Sequence, residues 1–108
     1  MISAGIDIGS LWTKVVVLNE TGVRGSVVRR TGMHMLETAR ECFRDACAEA
    51  VLSADDVQKV VATGYGRVSV PWATKSITEI TCHARGINHL RDSVRTLIDI
   101  GGQDSKVI

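Results

Sequence analysis

The sequence predicts an α/β fold: a mixed sheet whose elements follow the order βββ-α-β-α-β, closing on a truncated hairpin. Three observations carry that expectation. Residues 2–30 are strand-like and cut by short polar turns. Two later stretches change to a helical period. And "IDIGGQDSKVI" (Ile98 to Ile108) repeats "IDIGSLWTKVV" (Ile6 to Val16) in register, six of eleven positions being identical.

The first three strands come from apolar, β-branched runs: Ile2 to Ile8, "KVVVL" from Lys14 to Leu18, and "GSVVRR" from Gly25 to Arg30. Turns at Gly9-Ser10 and at "NETG" (Asn19 to Gly22) are too short for a crossover, so the strands form an antiparallel meander. From about His34 to Leu52, Met35, Leu36, Ala39, Phe43, Ala46, Cys47, Ala50 and Val51 fall on one helical face, with charged residues on the others. "SADD" (Ser53 to Asp56) carries a capping pattern, and "KVVATG" (Lys59 to Gly64) returns to strand. After an irregular stretch broken by Pro71, Ser76 and Glu79 form a capping box for a second helix with Ile77, Ile80, Ala84 and Ile87 at helical spacing. "VRTLIDI" (Val94 to Ile100) is a buried-type strand, added like the one before it through a helical crossover.

Composition narrows the function. Hydrophobic residues make up 44% and charged residues 23% of 108, the balance of one folded domain rather than a disordered chain. The formal net charge is +1 and the basic residues are dispersed, which excludes the electrostatic footprint of a nucleic-acid or membrane-surface binder. No apolar run reaches membrane-span length and "MISAGIDIG" has no signal-peptide pattern, so a cytoplasmic location is expected. Three cysteines without a C-x-x-C pair read as small buried hydrophobes, not as a disulfide framework or a zinc site.

The twin turns carry the chemistry. A glycine turn lets backbone approach a ligand, and successive N–H groups there make an anion-binding concavity. Around the first turn Gly9, Ser10, Leu11, Trp12, Thr13 and Lys14 offer hydroxyls and a cation to phosphate oxygens; around the second, Gly101, Gly102, Gln103, Ser105 and Lys106 do the same. Asp7 and Asp99, each before its glycine, are misplaced beside bare phosphate but suited to Mg²⁺ bridging phosphates. Gln103 is positioned to orient an attacking water, which makes Asp7, Asp99 and Gln103 the candidate catalytic residues. One such turn is usually only a turn; two copies that share the Asp, the Gly and the Lys favour the functional reading. The remaining candidates are weaker. Trp12 is expected to cover its hairpin, the glycines of "ATGYGR" (Ala62 to Arg67) fit either a ligand loop or a plain turn, and His83 with His89 fits helix-surface positions better than a metal site.

"GIDIGSLWTK", "VATGYGR", "EITCHARG" and "IDIGGQDSKVI", in that order, resemble the N-terminal half of the ATP-dependent activases of 2-hydroxyacyl-CoA dehydratases, the BadF/BadG/BcrA/BcrD-type ATPases related to benzoyl-CoA reductase subunits. The resemblance covers nearly the whole chain. It implies a ribonuclease H-like, actin-type ATPase subdomain of the acetate and sugar kinase, Hsp70 and actin superfamily, with a phosphate-1 hairpin at 5–18 and a phosphate-2 hairpin at 96–108. It further implies ATP and Mg²⁺ as ligands, and a homodimer with one [4Fe–4S] cluster whose electron passes to an acyl-CoA dehydratase or reductase partner. In that family the cluster cysteines and the adenosine site lie downstream of phosphate-2. Residues 1–108 are therefore expected to be the N-terminal part of a longer protein and inactive alone. Two rivals stand beside this reading: a sugar kinase of the same superfamily with Asp99 as base, and a non-catalytic partner-binding subdomain.

Overall fold

The computed structural model describes every residue except 103 and 104. Among the described residues seven strands and two α-helices follow one another: β1 (Ser3–Ile8), β2 (Trp12–Asn19), β3 (Gly22–Arg30), α1 (Met35–Glu49), β4 (Lys59–Thr63), β5 (Lys75–Ser76), α2 (Glu79–Leu90), β6 (Ile98–Ile100) and β7 (Ser105–Val107). Five strands form one sheet in the order β3-β2-β1-β4-β5. β1, β2 and β3 are the antiparallel meander, and β4 returns parallel to β1 after the α1 crossover. The mixed α/β sheet expected from the sequence is thus present.

Period-two alternation decides which side chains meet α1. Ala4, Ile6 and Ile8 of β1 and Thr13, Val15 and Val17 of β2 are buried on one face, together with Val60 and Ala62 of β4. There they pack against Ala39, Cys42, Phe43, Ala46 and Cys47 of α1. Replacing a fully buried core residue such as Ile6 by Ala would cost about 2–5 kcal/mol. Burial pushes the Cys42 and Cys47 thiols above their ordinary pKa, so both serve the core as neutral hydrophobes. Outside this core, Arg29 of β3 pairs with Asp45 and Glu41 of α1 and clasps sheet to helix.

α1 ends on a left-handed residue. Leu52 N–H donates to Cys47 O and Val51 N–H to Ala48 O, the paired bonds of a Schellman cap with Val51 at φ 59°. Glycine usually fills that position; a β-branched side chain there strains the backbone.

Three expectations are corrected. Ser76 does not cap α2: it is the last residue of β5, paired with Ala62, and the helix starts two residues later than expected, with Thr78 as its N-cap. β5 itself was not foreseen, because two residues carry no periodic signal. The strand expected over Val94–Ile100 shrinks to β6 and does not join the main sheet; it pairs with β7 as a separate antiparallel ribbon, extended by the reciprocal backbone bonds between Leu97 and Ile108. In this ribbon the alternation is inverted, with Asp99 and Lys106 facing inward while Ile98, Ile100 and Val107 are exposed.

Candidate phosphate-binding cleft

Asp7 lies on the face of β1 opposite α1, since its neighbours Ile6 and Ile8 are the buried ones. Its cross-strand partner in β2 is Lys14, and Lys14 Nζ sits 3.2 Å from Asp7 Oδ2. The second ribbon reproduces this rung: Asp99 pairs with Lys106, with Nζ 3.8 Å from Asp99 Oδ2. The shared offset between Asp and Lys is therefore a register, which places carboxylate and ammonium side by side at the mouth of each glycine turn.

The two turns face each other across a cavity of about 360 Å³. One wall is Gly9, Ser10, Leu11, Trp12, Asp7 and Lys14; the other is Asp99, Ile100, Gly101, Gly102 and Lys106. Their tips touch. A Cβ on Gly102 would lie 2.5 Å from Leu11 Cδ1, so glycine is what permits this approach. Trp12 lines the cavity and is covered on one side by the Arg30 guanidinium, 5.1 Å from its ring centre.

Thr13 is not brought to the cleft. Adjacent to Lys14 on a strand, its side chain must point the other way. It is fully buried, with Oγ1 2.9 Å from Thr31 Oγ1, while Thr31 Oγ1 donates to Gly9 O at 2.8 Å and Thr31 N–H to Leu11 O at 2.8 Å. The two threonines staple the first turn from behind. Gly9 N–H is likewise engaged within the turn, donating to Trp12 O at 2.9 Å. Gln103 lies outside the described residues.

"ATGYGR" proves to be a buttress. Gly64, at φ +89°, abuts Asp7, where an added Cβ would lie 2.6 Å from Oδ1 and 2.4 Å from Ile8 O. Gly66 N–H donates to Ile8 O at 3.0 Å and Arg67 Nη1 to Gly64 O at 3.1 Å, fixing the loop against the end of β1. Tyr65, exposed on this loop, joins the cavity lining.

Two residues of α2 complete the cleft, and neither was singled out as a site residue. His83 Nδ1 lies 2.7 Å from Asp99 Oδ2 and Nε2 3.8 Å from Asp7 Oδ2, so this side chain points into the site and not to the open helix surface. Glu79, one turn earlier on the same helix face, lies 3.5 Å from Lys106 Nζ. The signal was available in the four-residue spacing of Glu79 and His83, but nothing in the spacing says which face of α2 meets the ribbon. Among the described residues the lining then holds three carboxylates (Asp7, Glu79, Asp99) and two lysines (Lys14, Lys106). No three ligating side chains among the described residues gather as a protein metal cage. The cysteines do not fit a cluster: Cys42 and Cys47 are in the core, and Cys82 lies half-buried on α2 with Sγ near Ile77 O.

An antiparallel meander joined to a parallel strand through α1, with a second glycine hairpin opposed to the first, defines an α/β lobe of the actin-like ATPase type. The chain belongs to the BadF/BadG/BcrA/BcrD ATPase family, whose family model matches residues 4–108. Over its whole length it is 42% identical to the activator of lactoyl-CoA dehydratase from Anaerotignum propionicum, covering 42% of that protein. Component A of (R)-2-hydroxyglutaryl-CoA dehydratase from Acidaminococcus fermentans superposes on the entire chain with a TM-score of 0.93 at 33% identity, 42% of that structure being covered. The activator of 2-hydroxyisocaproyl-CoA dehydratase from Clostridium difficile, solved with bound ADPNP, gives 0.87 at 40% identity over 99% of this chain and 40% of its own. The chain thus spans about two fifths of the length of these relatives.

Proposed function

We propose that residues 1–108 form the N-terminal, phosphate-gripping lobe of an ATP-hydrolysing activator that serves a 2-hydroxyacyl-CoA dehydratase or a benzoyl-CoA reductase-type partner. The observation that carries it is the pair of Asp–Lys rungs opposed across one cleft. In this role Ser10, Lys14, Lys106 and the glycine tips hold phosphate oxygens, and Asp7 and Asp99 hold Mg²⁺ and its water. Mg²⁺ supplies neutralisation of the charge that develops on the transferring phosphoryl group. Gln103 orients the attacking water. The full-length protein works in the cytoplasm as a homodimer with a [4Fe–4S] cluster. The ligands of that cluster lie outside residues 1–108, because the three cysteines here do not converge. The similarity to dehydratase activators, with one relative holding an ATP analogue, favours this reading over a sugar kinase or a non-catalytic module.

Inorganic tripolyphosphate with Mg²⁺ tests the grip without the adenosine. Its addition to the 108-residue chain should shift the amide resonances of Ser10, Gly101 and Gly102, and AMP should not. A response to AMP with none to tripolyphosphate refutes the assignment. In the full-length protein Gln103→Ala should lower ATP turnover well beyond its effect on ATP binding; equal losses would leave Gln103 a binding residue only.

A further inference from the structure

The two hairpins repeat each other in sequence and in their Asp–Lys rungs, yet among the described residues it is Asp99, not Asp7, that lies within hydrogen-bond distance of a side chain from outside its own ribbon. We infer that His83 is a positioning residue for Asp99 in the phosphoryl-transfer site, an inference that rests on the ATPase reading above.

An ionised carboxylate only accepts hydrogen bonds, so at 2.7 Å from Asp99 Oδ2 the His83 Nδ1 carries the proton. That bond fixes the rotation of the Asp99 carboxylate and leaves Oδ1 for a ligand. It also fixes the ring, so that Nε2 is directed at the space between the aspartates, 3.8 Å from Asp7 Oδ2. The backing is organised to match. Glu79, one turn before His83, engages Lys106, whose Nζ in turn lies 3.8 Å from Asp99 Oδ2. α2 therefore reaches the second rung at both its acid and its base, through two side chains on one face. α2 approaches Asp7 less closely, with His83 Nε2 at 3.8 Å, and Gly64 of the "ATGYGR" loop abuts its carboxylate from the other side. A carboxylate restrained by an imidazole in this way has the second-sphere support that metal-site ligands commonly require.

Two measurements on the full-length protein test this. In steady-state ATP hydrolysis, His83→Ala should lower kcat by about 10–100-fold, the usual loss for second-sphere partners, with KM for ATP within about twofold, because phosphate and adenosine contacts remain. Electron paramagnetic resonance titration of Mn²⁺ in the presence of ADP should show weaker metal binding by a similar factor. His83→Asn, whose amide nitrogen falls near the Nδ1 position, should recover most of the metal affinity, and His83→Gln, whose nitrogen falls near Nε2, should not. α2 contributes no buried residue to the core, so circular dichroism should show all three variants folded. Unchanged kcat and unchanged Mn²⁺ affinity in His83→Ala overturn the inference and leave the ATPase reading standing. A raised KM for ATP at constant kcat overturns it too, making His83 a nucleotide-binding residue. A wild-type protein that neither hydrolyses ATP nor binds Mn²⁺ with ADP overturns both.

Discussion

Gly64→Ala isolates the buttress behind Asp7. At φ +89° a residue with a Cβ carries about 1–3 kcal/mol of backbone strain. The new methyl would also stand 2.4 Å from Ile8 O and 2.6 Å from Asp7 Oδ1, both closer than contact allows. Ile8 O cannot retreat freely, because it accepts from Gly66 N–H. Crowding of this kind adds about 1–3 kcal/mol, for a total of about 2–6 kcal/mol. In a chain of this length each kcal/mol lowers Tm by about 4–8 °C, so the melting point should fall by at least about 8 °C. Gly32→Ala is the control: its φ of +65° is also left-handed, but nothing lies within 4 Å of the added Cβ. It should cost only the strain. Urea unfolding followed by circular dichroism measures both. Equal losses in the two variants, or a loss below about 1 kcal/mol at Gly64, would refute the claim that this loop is wedged against Asp7.

Four further outcomes follow from the core and its caps. Val51→Gly should stabilise the chain by about 1 kcal/mol in the same urea experiment, by relieving the left-handed Val that ends α1. Thr31→Val should destabilise by about 1–3 kcal/mol and Thr13→Val by less, because Thr31 both meets Thr13 and donates to Gly9 O, whereas Thr13 reaches the turn only through Thr31. In native protein Cys82 should react with a maleimide well before Cys42 and Cys47, as mass spectrometry of labelled peptides will show. The same two core thiols make stability fall on the alkaline side. Their folded pKa values are raised by burial, so the unfolded chain loses its thiol protons first, and stability present below about pH 8.5 declines as pH rises beyond it.

The sheet and α1 were legible because their signals are periodic and long: alternation in β1 and β2 and the apolar stripe from Met35 to Ala50 agree with what the core buries, except that Leu36, and Val51 just beyond the stripe, are exposed. The opposed turns were legible because a duplicated phrase is independent of any one element. Thr13 shows where chemistry outran geometry. As a hydroxyl between glycine and lysine it looked like a phosphate ligand, yet the strand period that brings Lys14 to the cleft sends its neighbour into the core. His83 was missed for the opposite reason, since its role depends on which face of α2 meets the ribbon, a tertiary fact that no local pattern encodes. The isolation of β6 and β7 from the main sheet was hidden likewise, because an apolar strand reads the same wherever it pairs.

That inverted ribbon has a thermodynamic consequence. Among the described residues of α2, β6 and β7 none is fully buried, whereas β1, β2 and α1 supply most of the core. Amide hydrogens of the second hairpin should therefore exchange through local opening at a small fraction of the global unfolding free energy. A cleft whose second wall is assembled only part of the time binds more weakly than its contacts allow, by the fraction of molecules in which that wall stands. Anything that rigidifies the ribbon, even from its solvent side, would then tighten the hold on phosphate without touching it.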